Sequence, residues 1–301
     1  MSKRLVDVGE DWLVARLLKG LPGRADVLVG PGDDCAVIGR PRAKVWQLLK
    51  TDCLIENVHF TRKTEAKRVG WKALCRAISD IGAMAGQPAH ALITLAMPND
   101  LEVRWVDDFY AGLGKAARRF GVAITGGETA RSPGPIFISV ALTGQVERRR
   151  CVLRSGGQPG DAIYVTGRLG GSIARKHLDF IPRVAEARWI SDRFKPTSMM
   201  DLSDGLGTDL PRLAGESGCG YRFAPGLLPR TKGCTIEQAI SDGEDYELLF
   251  TVTPSVCSQL ESAWRREFRR LPLTRIGELL QPSRTRKPAT IRGFDHFAPA
   301  K

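Results

Sequence analysis

The chain alternates between two hydrophobic patterns, one typical of β-strands and one typical of α-helices. Short runs rich in apolar and β-branched residues predict strands at residues 45–51, 91–97, 122–125, 136–143 and 162–166. In the segment 101–120, apolar side chains recur at steps of three and four, at Trp105, Phe109, Leu113, Ala116 and Phe120. That spacing predicts a helix with one buried stripe, so these aromatic side chains are expected in the core.

A basic, glycine-rich segment at residues 147–161 separates two such alternating halves. Its glycines favour turns, and a chain of 301 residues is long enough for two domains. We therefore predict domains at residues 1–147 and 148–301.

In the second half, strands are predicted at 199–201 and 246–252, and helices at 173–177, 184–194, 208–217 and 255–268. The pattern predicts an α/β or α+β fold and leaves the strand order open.

The composition is that of an ordinary globular protein with an excess of basic residues. The formal net charge is +12, and the excess is spread over both halves of the chain. The sequence has no zinc-finger spacing, no aromatic pattern typical of RNA binding and no basic helix with heptads. We interpret the arginines at 148–150 and 265–270 as solvated faces and expect no nucleic-acid partner.

The seven cysteines are scattered along the chain without any C-x-x-C pair. This distribution argues against a disulfide framework and against a structural zinc site. The first ten residues lack an apolar signal core, and no stretch approaches 18 uninterrupted apolar residues. We therefore expect a reduced, cytoplasmic protein without a membrane partner.

Five short acidic clusters stand out in this basic chain. They lie beside glycine or small hydroxyl residues, at positions 32–34, 51–52, 79–80, 201–205 and 243–245. Carboxylates that fold close together repel one another and lose hydration, so a shared site needs divalent cations. Mg²⁺ prefers such hard oxygen ligands and is commonly held together with substrate phosphates. The clusters therefore indicate magnesium-dependent phosphate chemistry.

Asp80 is the most informative of these carboxylates, because its neighbours in the predicted helix around 74–84 are apolar or small. A carboxylate in such surroundings needs a partner. Two interpretations remain open from the sequence. Asp80 is either a metal ligand or a structural residue that pairs with Arg76 or caps the following turn.

Two glycine-rich segments are candidates for phosphate binding. Residues 126–129 follow a predicted strand and precede Arg131, so one loop is expected to combine flexible backbone, a carboxylate and a guanidinium. Residues 167–172 precede a predicted helix and suit either an anion at a helix N-terminus or a tight turn. The common nucleotide-binding motifs, including G-x-x-x-x-G-K-[ST] and the protein-kinase set, are absent from the sequence.

Taken in order, the motifs resemble those of the thiamine-monophosphate kinase family. The resemblance spans nearly the whole chain and rests on residues 32–36, 51–52, 56–60, 72–84, 126–129, 153–156, 201–206, 243–249 and 294–297. It implies an α/β (α+β) two-domain fold like that of aminoimidazole ribonucleotide synthetase, with the N-terminal domain dimerising through its sheet. It also implies ATP-dependent phosphorylation of thiamine monophosphate to thiamine pyrophosphate, with ADP released and Mg²⁺ as the metal.

The resemblance also implies roles for individual residues. Those expected to hold metal ions are Asp34, Thr51, Asp52, Asp80, Glu128, Asp201 and Asp204. Those expected to contact the nucleotide are Gly127, Glu128, Arg154 and Ser203. Around the thiamine substrate we expect His59, Glu244 and Phe294, since a carboxylate and an aromatic face suit a cationic thiazolium.

Two positions depart from the family pattern. Glu128 stands where the family usually has aspartate, one methylene shorter, and the effect of the longer side chain is left open. Lys50 stands where a small residue that lends a metal ligand often lies, so Lys50 is not assigned to the metal.

The expected chemistry is direct, in-line phosphoryl transfer assisted by metal ions, without a covalent intermediate. No catalytic general base is expected, because the attacking phosphate of thiamine monophosphate is already ionised near neutral pH. The alternatives are another ATP-using member of the same superfamily or a catalytically impaired nucleotide-binding protein. Selenophosphate synthesis is disfavoured, since no cysteine precedes Cys35 in the N-terminal loop.

Overall fold

A computed structural model gives the fold of the chain and describes residues 4–174, 176–282, 293–294 and 297. Within this part, two β-sheets are flanked by α-helices, which confirms the predicted α/β class. The helices are α1 (Glu10–Leu17), α2 (Ala66–Ala83), α3 (Val103–Phe120), α4 (Val184–Phe194), α5 (Leu206–Glu216), α6 (Ile236–Ser241) and α7 (Cys257–Glu267). None of the helices in the described part is both long and apolar enough to cross a membrane.

The first sheet is built from the first half of the chain. Its six strands are β1 (Val27–Val29), β2 (Ala36–Ile38), β3 (Val45–Ile55), β4 (Gln87–Met97), β5 (Ala123–Arg131) and β6 (Phe137–Glu147). Their order is β1-β2-β3-β6-β4-β5, and the β4–β5 pair is parallel while the other pairs are antiparallel. One face of this sheet packs against α2 and α3 in a hydrophobic core.

The second sheet is antiparallel throughout. Its strands are β7 (Ala162–Thr166), β8 (Ser198–Asp201), β9 (Gly220–Phe223), β10 (Leu248–Val252) and β11 (Leu273–Leu280), in the order β8-β10-β7-β11-β9. The central strand β7 and its neighbour β10 are buried along their whole length, with separate hydrophobic cores on the two faces of the sheet. The predicted domain boundary at 147/148 falls between the two sheets, and it stays a prediction.

Helices α2 and α3 approach each other closely because two glycines lie at their crossing. A Cβ atom on Gly70 would stand 2.0 Å from the carbonyl oxygen of Phe109, and one on Gly112 would stand 1.8 Å from that of Lys67. The two backbones are therefore in direct contact, and α2 is buried along most of its length. This packing fixes α2 between the first sheet and the second half of the chain.

Several predicted elements agree with the structure, and three do not. The strand at 162–166, the helix at 184–194 and the buried aromatic stripe of α3 are confirmed. The predicted helix at 173–177 is wrong, because that segment contains short 3₁₀ turns at Ser172–Ala174 and Lys176–Leu178. Residues 51–52 do not close a strand, since β3 continues to Ile55. Residues 126–129 form no loop, since they lie within β5 and follow a bulge in its pairing with β4.

Candidate active site

Three carboxylates from separate elements meet at the junction of the two halves. Asp34 precedes β2, Asp80 lies in the last turn of α2, and Asp201 ends β8. One side-chain oxygen from each lies within 4.8 Å of the others, and all three residues are buried. We refer to Asp34, Asp80 and Asp201 as the acidic triad. These distances suit a single cation bound by all three side chains.

Two basic side chains reach the triad. Arg154 Nη2 donates a hydrogen bond of 2.6 Å to Asp34 Oδ1, and Lys50 Nζ lies 2.6 Å from Asp80 Oδ1. Burial is the largest single effect and would lower the pKa of Lys50, but the charge of Asp80, the charge of Asp52 and the hydrogen bond to Asp80 together outweigh it and raise the pKa. Lys50 is therefore a charged side chain, and its ion pair with Asp80 corrects the predicted alternative in which Asp80 pairs with Arg76.

The triad retains capacity for a cation. Ser79 Oγ donates to Asp201 Oδ2, while the buried Asp34 Oδ2 has no hydrogen-bond partner among the described residues. An unpartnered buried carboxylate oxygen is costly, and a metal ion would remove that cost. The donor set of three carboxylates is the chemistry that Mg²⁺ prefers. The residues present therefore fit a divalent hard cation.

Crowding of these carboxylates alters their protonation. Burial raises the pKa of Asp80 well above its ordinary range, against the attraction of Lys50. Burial, followed by repulsion from Asp34, raises the pKa of Asp201 to about 7. A cation bound among them acts in the opposite direction, because it favours the ionised forms. A cation bound at the triad would therefore displace protons from these carboxyl groups.

From residue 72 onwards, helix α2 carries three charged residues at steps of four, which places them along one face. Asp80 pairs with Lys50, and one turn earlier Arg76 Nη2 lies 3.2 Å from Asp52 Oδ1. Another turn earlier is the fully buried Lys72. Sequence reasoning assigned only Asp80 a role, although the four-residue spacing of these side chains on a largely apolar helix was a usable signal.

Thr51 and Glu128 lie away from the triad. Thr51 is exposed, on the side of β3 opposite to Lys50 and Asp52. Glu128 is also exposed, on β5, and is aligned through β4 and β6 with Cys53 of β3. Three strand spacings separate β5 from β3, a distance of about 14 Å. One copy of the chain therefore does not bring Thr51 or Glu128 to the triad, and Gly127 lies on the same distant strand.

Asp204 follows Asp201 by three residues, but the hydrogen-bond partners of its side chain and backbone N–H lie in α5. Arg212 of α5 donates a short hydrogen bond to Asp204 Oδ2, and the Asp204 backbone N–H donates to Asp209 Oδ2 at 3.1 Å. Asp209 is fully buried, and burial raises its pKa well above the ordinary range. Asp204 is therefore held at the N-terminus of α5 and is not part of the three-carboxylate cluster.

A small cavity of about 60 Å³ lies beside this loop. It collects residues that sequence reasoning assigned separately to substrate, nucleotide and metal, namely His59, Ser203, Asp204, Glu244 and Phe294. Of the predicted 294–297 ending, residues 295 and 296 lie outside the described residues. Arg76 also lines the cavity, and because α2 carries both Arg76 and Asp80, the cavity and the triad share one helix.

Glu244 is held by a buried basic network that the sequence analysis did not identify. Lys72 Nζ lies 2.7 Å from Glu244 Oε2, and His177 Nδ1 lies 2.7 Å from the same oxygen. Lys72 Nζ also donates to the His59 carbonyl at 3.0 Å. Burial alone would raise the pKa of Glu244, but the hydrogen bond from His177 and the charge of Lys72 outweigh burial and hold it at about 2. Glu244 is therefore an ionised carboxylate at the cavity wall.

The loop that carries Glu244 has a strained backbone fixed by its neighbours. Glu244 and Tyr246 both have a φ of 51°, which non-glycine residues rarely adopt. Their N–H groups donate to the carbonyls of Ser203 and Leu202, at 2.7 and 2.8 Å. Tyr246 also stacks on Phe180, with 3.8 Å between ring centroids. Such strain persists only where surrounding contacts determine the geometry, so the orientation of Glu244 is built into the fold.

The glycine-rich segment 167–172 proves to be a turn whose amides are already occupied. Gly170 N–H donates to Asp245 at 3.1 Å, and Gly171 N–H donates to Asp242 at 2.8 Å. Ser172 Oγ adds a short hydrogen bond to Asp245. Carboxylates of the chain itself therefore take the place that an anionic ligand would need, which favours the tight-turn interpretation.

The chain is similar to known proteins over most of its length. Residues 32–146 match the family model described as AIR synthase related protein, N-terminal domain. A thiamine-monophosphate kinase from Rhodopirellula baltica is 33% identical, over 91% of this chain and 90% of that protein. One from Escherichia coli K12 is 32% identical, over 96% of this chain and 98% of that protein. A solved structure described as AaThiL complexed with AMPPCP and TMP has a TM-score of 0.81 and 31% identity, and covers 98% of this chain and 95% of that one.

The network around Glu244 predicts a pH-dependent contribution to stability. The pKa of Glu244 is depressed from 4.5 to about 2, so its contribution is fully present above pH 4.5 and is lost as the pH falls towards 2. Denaturant unfolding of wild type and Glu244→Gln should differ by no more than about 3 kcal/mol at pH 6. The difference should shrink at pH 3.5. A difference that stays constant between the two pH values would contradict the network, and Glu267→Gln, at an exposed position, serves as the control.

Proposed function

The chain belongs to the thiamine-monophosphate kinase family, and we propose that it transfers the γ-phosphoryl group of ATP to thiamine monophosphate. The products are thiamine pyrophosphate and ADP. The observation that carries the proposal is the likeness, over 98% of the chain, to a kinase structure that holds AMPPCP and TMP. Helix α2 contributes Asp80 to the triad and Arg76 to the wall of the cavity. This arrangement supports a site that binds a phosphate group next to a small substrate.

We propose that the triad holds Mg²⁺ when nucleotide is bound. Asp34, Asp80 and Asp201 supply the carboxylate oxygens, and among the described residues Asp34 Oδ2 has no hydrogen-bond partner. Mg²⁺ supplies positive charge to the phosphate oxygens during transfer. Asp52 lies on the same side of β3 as Lys50, with Arg76 as its partner, and is the nearest candidate for a further ligand.

The residues around the cavity suit the thiamine part of the substrate. Glu244 stays ionised across the physiological pH range, which favours a cationic thiazolium, and Phe294 offers an aromatic face. Lys72 and His177 hold Glu244 in place, so we assign them a positioning role. His59 also lines the cavity, and its backbone carbonyl accepts a hydrogen bond from Lys72 Nζ.

No residue in the proposed mechanism acts as a covalent nucleophile or as a general base. The acceptor is an ionised phosphate, so this chain needs only to position two phosphate groups in line and to stabilise their charge. Arg154 and Lys50 place two fixed positive charges at the triad. Arg154 and Ser203 remain our candidates for contacts with the nucleotide. The enzyme is proposed to act in the cytoplasm, since its seven cysteines are unpaired.

We also propose a homodimer formed through the first sheet. The outer side of this sheet exposes apolar side chains, with Leu49, Leu92 and Phe137 accessible to 40%, 49% and 36%. Clustered exposed apolar residues are typical of protein interfaces. Thr51 and Glu128 lie exposed on strands of the same sheet. With a second copy packed on this side, we propose that Gly127 and Glu128 of one chain contact phosphate groups bound by the other chain.

Product analysis tests the proposed reaction. With ATP, Mg²⁺ and thiamine monophosphate, we expect thiamine pyrophosphate and ADP in equal amounts, no product after chelation of the metal, and no phosphorylation of free thiamine. Asp80→Asn should lower kcat by about 100-fold or more, because a charge at the metal site is lost. Asp108→Asn, at an exposed ion pair, should leave kcat unchanged.

Two results would contradict this function. One is phosphorylation of free thiamine at a comparable rate. The other is a rate of ADP release that is unchanged by thiamine monophosphate but is increased by formylglycinamidine ribonucleotide or selenide. The circular dichroism spectrum of Asp80→Asn should match that of wild type, so that loss of activity is separated from loss of the fold.

Sedimentation equilibrium tests the proposed dimer. We expect wild type to have twice the mass of one chain, and Leu92→Glu to have the mass of one chain, because a charge would be buried in an apolar interface. Val103→Glu, at an exposed apolar position on α3, should remain a dimer. A wild-type mass equal to that of one chain would refute the dimer.

A further inference from the structure

Lys50 is a basic residue inside a site whose chemistry calls for metal cations. Its side chain leaves β3 on the side that faces α2, and only 23% of it is exposed. Its ammonium lies 2.6 Å from Asp80 Oδ1. Asp80 is fixed because α2 is buried along most of its length, so this contact results from the fold of two rigid elements.

The charges around the triad show what Lys50 contributes. In the fully ionised form, which a bound cation favours, the three carboxylates carry three negative charges, and the side chains of Lys50 and Arg154 contribute two positive charges. Ser79 contributes only a neutral hydroxyl to Asp201. One negative charge and one unpartnered oxygen, Asp34 Oδ2, remain among the described residues. The cluster as built suits one divalent cation and has little capacity for a second.

The alternative is that Lys50 and Asp80 form an ordinary structural ion pair. Buried pairs of this kind commonly add little to stability, because desolvation of both charges offsets their attraction. An ordinary pair also has no reason to lie where two further buried carboxylates converge within 4.8 Å. At this position the ammonium of Lys50 places a positive charge among carboxylates that would otherwise suit a metal ion.

We propose that the ammonium of Lys50 replaces one divalent cation at the triad. Lys50 is a built-in cation that occupies one oxygen of Asp80, limits divalent binding at the triad and presents a fixed positive charge to the phosphate groups. The inference rests on the metal site of the proposed function, and it is independent of the identity of the phosphate acceptor.

The test measures binding of Mn²⁺ alone to the full chain, by electron paramagnetic resonance of the free ion. Lys50→Gln keeps a hydrogen-bond donor towards Asp80 but removes the charge, and it should bind Mn²⁺ at least about tenfold more tightly than wild type. Lys50→Arg keeps the charge and should bind as wild type does. Lys67→Gln removes an exposed lysine paired with Asp108 and controls for net charge.

A second readout covers a variant that is unstable without metal. If Lys50→Gln unfolds more readily, Mn²⁺ should raise its melting temperature by more than it raises that of wild type, since a ligand that binds only the folded state stabilises it in proportion to affinity. Mn²⁺ that leaves the melting temperature of Lys50→Gln unchanged would overturn the proposal.

Failure of this inference and failure of the metal site give different results. In one outcome, wild type binds Mn²⁺, Asp34→Asn does not, and Lys50→Gln binds Mn²⁺ with wild-type or weaker affinity. This outcome overturns the role of Lys50 alone. Wild type that binds no Mn²⁺, or binds it equally well in Asp34→Asn, overturns both the role of Lys50 and the metal site. Tighter binding in Lys50→Gln but not in Lys50→Arg or Lys67→Gln supports the proposal.

Discussion

Mutual repulsion of three buried carboxylates is the constraint on which the rest of the site depends. One side-chain oxygen from each of Asp34, Asp80 and Asp201 lies within 4.8 Å of the others and away from water, an arrangement that costs free energy unless protons or positive charges relieve the repulsion. Lys50 and Arg154 offset part of the repulsion. The negative charge that remains would attract a divalent cation, so the proposed metal ion would make an unfavourable arrangement of carboxylates favourable.

Helix α2 connects this site to the cavity beside it. Its buried position, made possible by backbone contact with α3 at Gly70 and Gly112, aligns three charged residues at four-residue steps. Asp80 belongs to the triad, and one turn away Arg76 lines the cavity. Lys72, a further turn away, binds the carboxylate of Glu244 at the cavity wall. One helix therefore sets the distance between the triad and the cavity, and the proposed in-line transfer requires its two phosphate groups to be held at a fixed distance.

Local patterns in the sequence predicted the elements, whereas tertiary packing decided which residues meet. The strand at 162–166 and the helix at 184–194 carry strong, uninterrupted patterns and were predicted with their bounds. The predicted helix at 173–177 was wrong because carboxylates of another loop hold the glycine amides that precede it. The separation of Glu128 from the triad follows from the order β3-β6-β4-β5, which no local pattern encodes. The resemblance to the family identified the acidic residues as a set. The fold shows that some form the triad, that Glu128 lies on the outer side of the first sheet, and that Asp204 and Glu244 line the cavity.

The most direct measurement of the central claim, that the triad is the cation site of a phosphoryl-transfer centre, is anomalous diffraction from Mn²⁺. The crystal should contain AMPPCP, thiamine monophosphate and Mn²⁺. We predict an anomalous peak within coordinating distance, about 2.0–2.6 Å, of oxygens of Asp34, Asp80 and Asp201. The phosphates of both ligands should lie on the same side of that peak, with Glu244 near the thiazolium. Mn²⁺ peaks elsewhere on the nucleotide, with no density among the three carboxylates, would contradict the account.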